Sequence, residues 1–402
     1  MVVMDGLGDR AVEALGWRTP LQAANTPNLD WFAANGSCGI MDVISPGVRP
    51  GSDTAHLALL GYDPYEVYQG RGPFEAAGIG LLGQRGDVAF RCNFATVDDE
   101  WNVIDRRAGR IKEPDTRELV SALGEVAIDG VEVIVKEATE HRAALIFRGE
   151  GLSSKVTDAD PHELAKVLVS EPLEPVAERT ARLVNEFVKR SYEILKDHPV
   201  NVRRRAEGQP EANILLPRGA GTFPDIEPFP QLYGMKAACM AGVGMIKGIC
   251  QVCGLEVFGA PGATGGLDTD MISKVDRALE LLEDHDFVLM NIKAPDIAGH
   301  DSSSSVKVEV VKRLDQMAKV LRDRMPEDLV IAFTADHCTP IEVGDHSGDP
   351  VPVMIYCQGI VRDLVEEYSE AACSQGGLGR IRGKDLLPIL LDKANRSEKF
   401  GA

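Results

Sequence analysis

Three short apolar runs in this chain each stop at an aspartate: "MVVMDG" at Asp5, "DFVLMNIKAPD" at Asp296, and "DLVIAFTADH" at Asp336 and His337. Short β-branched runs of this kind read as strands buried on both faces. The stretches between them carry helical spacing. In "EPVAERTARLVNEFVKRSYEILKDH", apolar residues recur at Ala177, Ala181, Val184 and Val188 and at Phe187, Ile194 and Leu195, and "DMISKVDRALELLEDH" has the same rhythm. Strands alternating with helices predict an α/β fold, a mostly parallel sheet flanked by helices. Open sheets of that type bind ligands at the carboxyl ends of their strands. One aspartate there is commonly a helix cap or turn residue, whereas three predict a shared acidic site. Only Met1, Val2, Val3 and Met4 precede Asp5, so a longer apolar start is expected upstream.

Residues 86–172 break the rhythm. Strand-like "DVAFRCNFATVDD", "VEVIVKEA" and "AALIFRG" enclose one short helical stretch, "DTRELVSALGEV". This predicts a smaller α+β domain at 86–172, inserted into a core domain made of 1–85 and 173–402. The net charge of −19 argues against nucleic acid or an anionic membrane as partner, and leaves arginines or bound metal to meet an anionic substrate. No apolar run is long enough to span a bilayer and no signal peptide opens the sequence, so a cytoplasmic location is expected. The eight cysteines are scattered and read as reduced thiols; Cys250 and Cys253, the one CxxC, read as helix packing.

The loop "TADHCTPIEVGDHSGDP" places two of only eight histidines behind aspartates, as Asp336-His337 and Asp345-His346. Carboxylate oxygen mixed with imidazole nitrogen suits Zn²⁺, Mn²⁺ or a similar ion better than Ca²⁺. A metal centre needs further ligands from elsewhere in the chain. In "SPGVRPGSDTAHLALLGYDP", Pro46-Gly47 and Pro50-Gly51 are followed by a helical stretch ending at Gly61. Ser52 therefore falls at or next to a helix N-terminus, where free amides favour a phosphate. Alone it reads as an N-cap; beside metal ligands it becomes a candidate nucleophile. His56, one turn on, reads as helix surface or as support behind a ligand.

These residues sit within motifs that resemble the archaeal-type branch of the cofactor-independent phosphoglycerate mutases, in the alkaline phosphatase superfamily. The matching stretches are "MDGLGDR", "NTPNLDWFAANG", "PGSDTAHLALLGYDP", "YQGRGPFEA", "RCNFATVD", "DRRAGRI", "LLPRGAG", "APDIAGHD", "TADH" and "DHSGDPVPV". They run nearly the full length of the chain. The resemblance implies an alkaline-phosphatase-like core and two divalent ions, Mn²⁺ foremost, with Zn²⁺, Co²⁺ and Mg²⁺ as alternatives. Asp5, Ser52, Asp336 and His337 would hold one ion, and Asp296, His300 and His346 the other, with Asp345 supporting its neighbour. It also implies that Ser52 carries the phosphoryl group between the hydroxyls of glycerate, with phosphoglycerate as the substrate and no 2,3-bisphosphoglycerate. A second domain closing over the site would exclude water and hold the glycerate carboxylate. Arginine binds carboxylate and phosphate bidentately, so Arg91, Arg106, Arg107, Arg110, Arg203, Arg204 and Arg218 are substrate-binding candidates, together with Lys236. A phosphomonoester or phosphonate hydrolase, or another phosphotransferase of the superfamily, is the competing expectation.

Overall fold

The structure is a computed structural model that describes residues 1–124, 128–399 and 401. It divides into two compact units, Met1–Glu66 with Glu227–Ala402, and Val67–Ile226.

The first unit is built on eight strands: β1 (Val2–Met4), β2 (Ser37–Asp42), β8 (Ala237–Met240), β9 (Glu256–Phe258), β10 (Phe287–Ile292), β11 (Ile331–Thr334), β12 (Val351–Tyr356) and β13 (Gly379–Arg382). Their order is β13-β2-β12-β11-β1-β10-β8-β9. All neighbours run parallel except β12, which is antiparallel to both β11 and β2. Every residue of β1, β10 and β11 is buried, as continuous apolar strands covered by helices on both faces should be. β1 lies between β11 and β10, so residues separated by about three hundred positions leave the sheet side by side at its carboxyl edge. The expected helix at Asp270 spans Met271–Leu281, and the Asp270 side chain accepts from the Ile272 and Ser273 amides. Among the described residues, no helix is long and apolar enough to cross a membrane.

The second unit holds an antiparallel sheet of β3 (Val88–Val97), β4 (Val103–Asp105), β5 (Glu132–Glu137), β6 (Arg142–Arg148) and β7 (Ile214–Thr222). Val88, Phe90, Cys92 and Phe94 alternate along β3 into an apolar core with Phe147, Leu119, Val184, Phe187, Leu195 and Leu216. Arg91 and Asn93 project from the opposite face, as period-two geometry requires. The helix Glu178–Leu195 buries Leu183, Val184, Phe187 and Val188 against this core. This unit therefore reaches from 67 to 226, whereas the sequence reading placed the insert at 86–172. The amphipathic stripe of Glu178–Leu195 announces a helix that covers a sheet but not which sheet, and β7 arrives from beyond it. The helix expected from "DTRELVSALGEV" spans Asp115–Leu123; Glu125 and Val126 lie outside the described residues.

Candidate active site

Asp5 follows β1, Asp336 and His337 follow β11, and Asp296 lies in the helix Ala294–His300 that follows β10. Strand order thus turns three distant aspartates into one cluster. Asp5, Asp336 and His337 are fully buried and offer ligand atoms within 4.8 Å of one another. His337 Nε2 lies 3.6 Å from Asp5 Oδ1 and 3.3 Å from Asp336 Oδ2. Asp296 Oδ1 lies 3.4 Å from His300 Nε2 and 3.5 Å from His346 Nε2. Asp345 is exposed; its Oδ1 accepts the His346 amide at 2.8 Å, and its carboxylate also comes within 4.8 Å of the ligand atoms of His300 and His346.

The tautomers of the three histidines follow from their partners. His300 Nδ1 donates to Gly344 O at 2.9 Å and His346 Nδ1 to Pro50 O at 2.8 Å, because a carbonyl oxygen can only accept. Thr339 Oγ1 donates to Asp296 Oδ1 at 2.7 Å and so accepts from His337 Nδ1 at 3.1 Å. With Nδ1 engaged, each imidazole turns its Nε2 toward carboxylates, where it donates to them when protonated and offers its lone pair to a cation when neutral. Asp336 Oδ2 is buried and accepts no hydrogen bond. An orphaned carboxylate oxygen 3.3 Å from His337 Nε2 fits a divalent ion, and the mixed donor set fits the Mn²⁺ and Zn²⁺ class. Burial alone would raise the Asp336 carboxyl, but His337, His56 and Lys293 outweigh it and hold it well below the usual range. For Asp296, too, burial is overcome, by the His346 contact, Lys293 and His337. Both groups are therefore anionic, as ligands must be.

Ser52 is the first residue of the helix Ser52–Leu59, whose N-cap is Gly51; the Thr54 amide donates to Asp53 Oδ1 at 3.0 Å, and the Ser52 side chain takes no part in the cap. The N-cap role open to Ser52 in sequence is therefore not the one it fills. Its Oγ lies 3.3 Å from His337 Nε2 and 3.5 Å from Lys293 Nζ. His56 is buried rather than on the helix surface. Its Nδ1 donates to Ser52 O at 2.8 Å, and its Nε2 accepts from Asn291 Nδ2 at 3.2 Å. Asn291 Nδ2 also donates to Asp5 Oδ2 at 2.9 Å, so His56 and Asn291 brace Asp5 from behind.

Lys293, Asn291 and Thr339 were missed by sequence reasoning. Asn291 left a readable signal, a polar residue inside the apolar run "FVLMNI". Lys293 and Thr339 left none, because their importance depends on which strands are neighbours.

The cationic candidates separate by position. In the second unit Arg91 pairs directly across β3 and β7 with Arg218. Arg218 Nη1 donates to His162 Nδ1 at 2.9 Å, and Asp160 lies 3.5 Å from Arg106 and 3.8 Å from Arg218. Arg91 Nε and Arg106 Nε are buried donors without an acceptor. Arg107 and Arg110 are exposed around a 3-10 turn. Arg204 is buried and occupied: it donates to Pro210 O at 2.9 Å and Ala108 O at 3.1 Å, and pairs with Asp115 at 3.2 Å. Arg203 also pairs with Asp115, at 2.5 Å. Lys236 is a correction. It precedes β8, which runs parallel to β10, so it sits at the opposite end of the sheet from Asp296 and faces Glu256 at 3.6 Å.

The fold and donor set define an α/β protein with a buried carboxylate–imidazole centre at its parallel strand ends. Comparisons with known proteins narrow this. A sequence model of 2,3-bisphosphoglycerate-independent phosphoglycerate mutase matches residues 33–201. The 2,3-bisphosphoglycerate-independent phosphoglycerate mutase of Methanopyrus kandleri is 52% identical over 100% of this chain and 97% of its own. A solved Pyrococcus horikoshii protein superposes with a TM-score of 0.85 at 41% identity, covering 100% of this chain and 98% of that one. The cofactor-independent phosphoglycerate mutase of Thermoplasma acidophilum gives a TM-score of 0.74 at 38% identity, covering 98% of each chain. The chain belongs to the 2,3-bisphosphoglycerate-independent phosphoglycerate mutase family.

Proposed function

We infer that this protein interconverts 3-phosphoglycerate and 2-phosphoglycerate without 2,3-bisphosphoglycerate, through a phosphoserine at Ser52. The observation that carries this reading is the setting of Ser52, a helix-start hydroxyl released from capping and held at 3.3 Å from His337 Nε2. Asp5, Ser52, Asp336 and His337 would hold one divalent ion, and Asp296, His300 and His346 the second. Such ions lower the pKa of a bound hydroxyl and neutralise phosphoryl oxygens.

The chain's own groups account for the remaining demands. Ser52 Oγ forms the bond to phosphorus while the ester bond to glycerate breaks, and the serine proton passes to the departing alkoxide. The other glycerate hydroxyl then attacks the phosphoserine, its proton returns to Ser52 Oγ, and the second isomer leaves. The positive end of the dipole of the helix Ser52–Leu59 favours the phosphoryl charge. His56 and Asn291 keep Asp5 oriented, and Lys293 donates toward Ser52 Oγ. For the substrate's anionic groups we propose Arg91, Arg106 and Arg218. Two of these keep buried guanidinium donors unpaired, which supports an anion as their partner. Arg107, Arg110 and Arg203 are exposed reserves for the same role, whereas the contacts of Arg204 are consumed within the unit.

An enolase-coupled assay with 3-phosphoglycerate and Mn²⁺, free of 2,3-bisphosphoglycerate, tests the reading. Formation of 2-phosphoglycerate that stops on chelation is the expected result. Release of inorganic phosphate in its place would identify a hydrolase and overturn the assignment.

A further inference from the structure

Lys293 occupies the junction between the two ligand sets. Its Nζ lies 2.8 Å from Asp5 Oδ1, a member of the first set, and 2.7 Å from Asp296 Oδ2, a member of the second. The same amine reaches Ser52 Oγ at 3.5 Å. Its side chain is 18% exposed, against 0% for Asp5 and 3% for Asp296. Three carboxylates, Asp5, Asp296 and Asp336, converge on this small buried volume. Unpaired buried charge is strongly unfavourable, so the fold needs a cation here at all times. The backbone explains why this side chain supplies it. Lys293 is the N-cap residue of the helix Ala294–His300, immediately after β10, and β10 is the immediate neighbour of β1. A long flexible ammonium rooted there spans from the end of one strand to the aspartate leaving the next.

We propose that Lys293 is an internal counter-cation which holds Asp5, Asp296 and Ser52 in register before divalent ions arrive, and which competes with those ions for the same carboxylate oxygens. An incoming ion must take Asp5 Oδ1 or Asp296 electron density from an ammonium already bonded to it. Lys293 thereby makes the site stable without metal and lowers its affinity for metal, so that the ions exchange more readily. This role rests on the reading of the cluster as a divalent-metal site. It differs from a merely structural one in the sign of its effect. A residue that only supports the ligands would weaken metal binding when removed, whereas a competitor strengthens it.

Lys293→Met removes the charge with similar length, and Lys293→Arg keeps it. Mn²⁺ titration calorimetry and thermal melts of chelator-stripped and Mn²⁺-loaded protein distinguish the possibilities. Lys293→Met is expected to bind Mn²⁺ about tenfold more tightly or better, to melt lower than wild type when stripped, and to gain more from Mn²⁺. Lys293→Arg is expected to melt near wild type when stripped. If Lys293→Met folds only with Mn²⁺ while Lys293→Arg folds without it, the proposal is equally supported. Unchanged or weaker Mn²⁺ binding by Lys293→Met, with the same Mn²⁺-induced rise in melting temperature as wild type, overturns the competitor role and leaves the metal reading intact. A wild type that takes up no Mn²⁺ overturns the metal reading itself and the competitor role with it.

Discussion

The two units of this molecule assemble charge by opposite means. In the first, parallel strands deliver single residues from their carboxyl ends, and adjacency of β11, β1 and β10 fuses Asp336, Asp5 and Asp296 into a buried anionic centre. In the second, an antiparallel sheet sorts residues by face, so that Arg91 and Arg218 meet across β3 and β7 while Phe90 and Cys92 line the core behind them. The first arrangement concentrates negative charge that demands cations. The second concentrates positive charge that is only partly matched by Glu75, Asp158 and Asp160. Chemistry that moves a phosphoryl group needs both, and on the proposed reading bond-making falls to the first unit and anion recognition to the second.

Substitutions separate these roles. The largest effect is expected for Ser52→Ala, which should lower mutase turnover by at least about a thousandfold. Because the Ser52 side chain caps nothing, its stability should change by less than about 1 kcal/mol. The enolase-coupled rate and a thermal melt check both halves, and wild type quenched with substrate should carry a phosphoserine visible by mass spectrometry. Substantial turnover by the alanine variant would break the division of labour at its centre.

Next in size, His346→Ala should remove one divalent ion and keep the other, since Asp5, Asp336 and His337 form a ligand group without it. Elemental analysis against protein concentration reads this directly; loss of both ions together would merge the two sets into one. In the second unit, Arg218→Ala should lower kcat/KM by about ten- to a hundredfold, mostly through KM, with metal content unchanged. A variant that lost metal instead would contradict the separation of roles.

The smallest expected effect sharpens the contrast through pH. The His141 imidazole is pushed down to about 4, first by burial and then by Arg142, Arg107 and Arg91, with Glu140 opposing. Its unfolded form protonates near the ordinary value of 6.5, so the unfolded state gains protons first as pH falls. The stability held by neutral His141 is complete above that value and drains away toward pH about 4. Hydrogen-exchange protection of β3 and β6, corrected for the intrinsic exchange rate at each pH, should therefore fall between neutral pH and pH about 5 in wild type and less so in His141→Gln. An equal fall in protection in both would show that His141 does not report on the arginine cluster.

What the sequence determined by itself is local. Strand length and apolar runs located the ends at Asp5, Asp296 and Asp336. Breakers at Pro50-Gly51 located the helix start that carries Ser52, and the residue types announced a mixed oxygen and nitrogen donor set. These features are written in spacings of two to four residues, the range over which backbone geometry repeats. The tertiary structure decided which strand ends are neighbours, and with that it placed Lys293 between the ligand sets and Lys236 at the far edge. It also decided that Glu178–Leu195 and β7 complete the second unit, and that Arg204 is bound to Ala108 and Pro210 instead of being free. An amphipathic stripe or an arginine-rich run states that a face will be covered or a charge met. The partner is chosen by tertiary packing, for the most part between segments far apart in the chain, and no local periodicity records that choice.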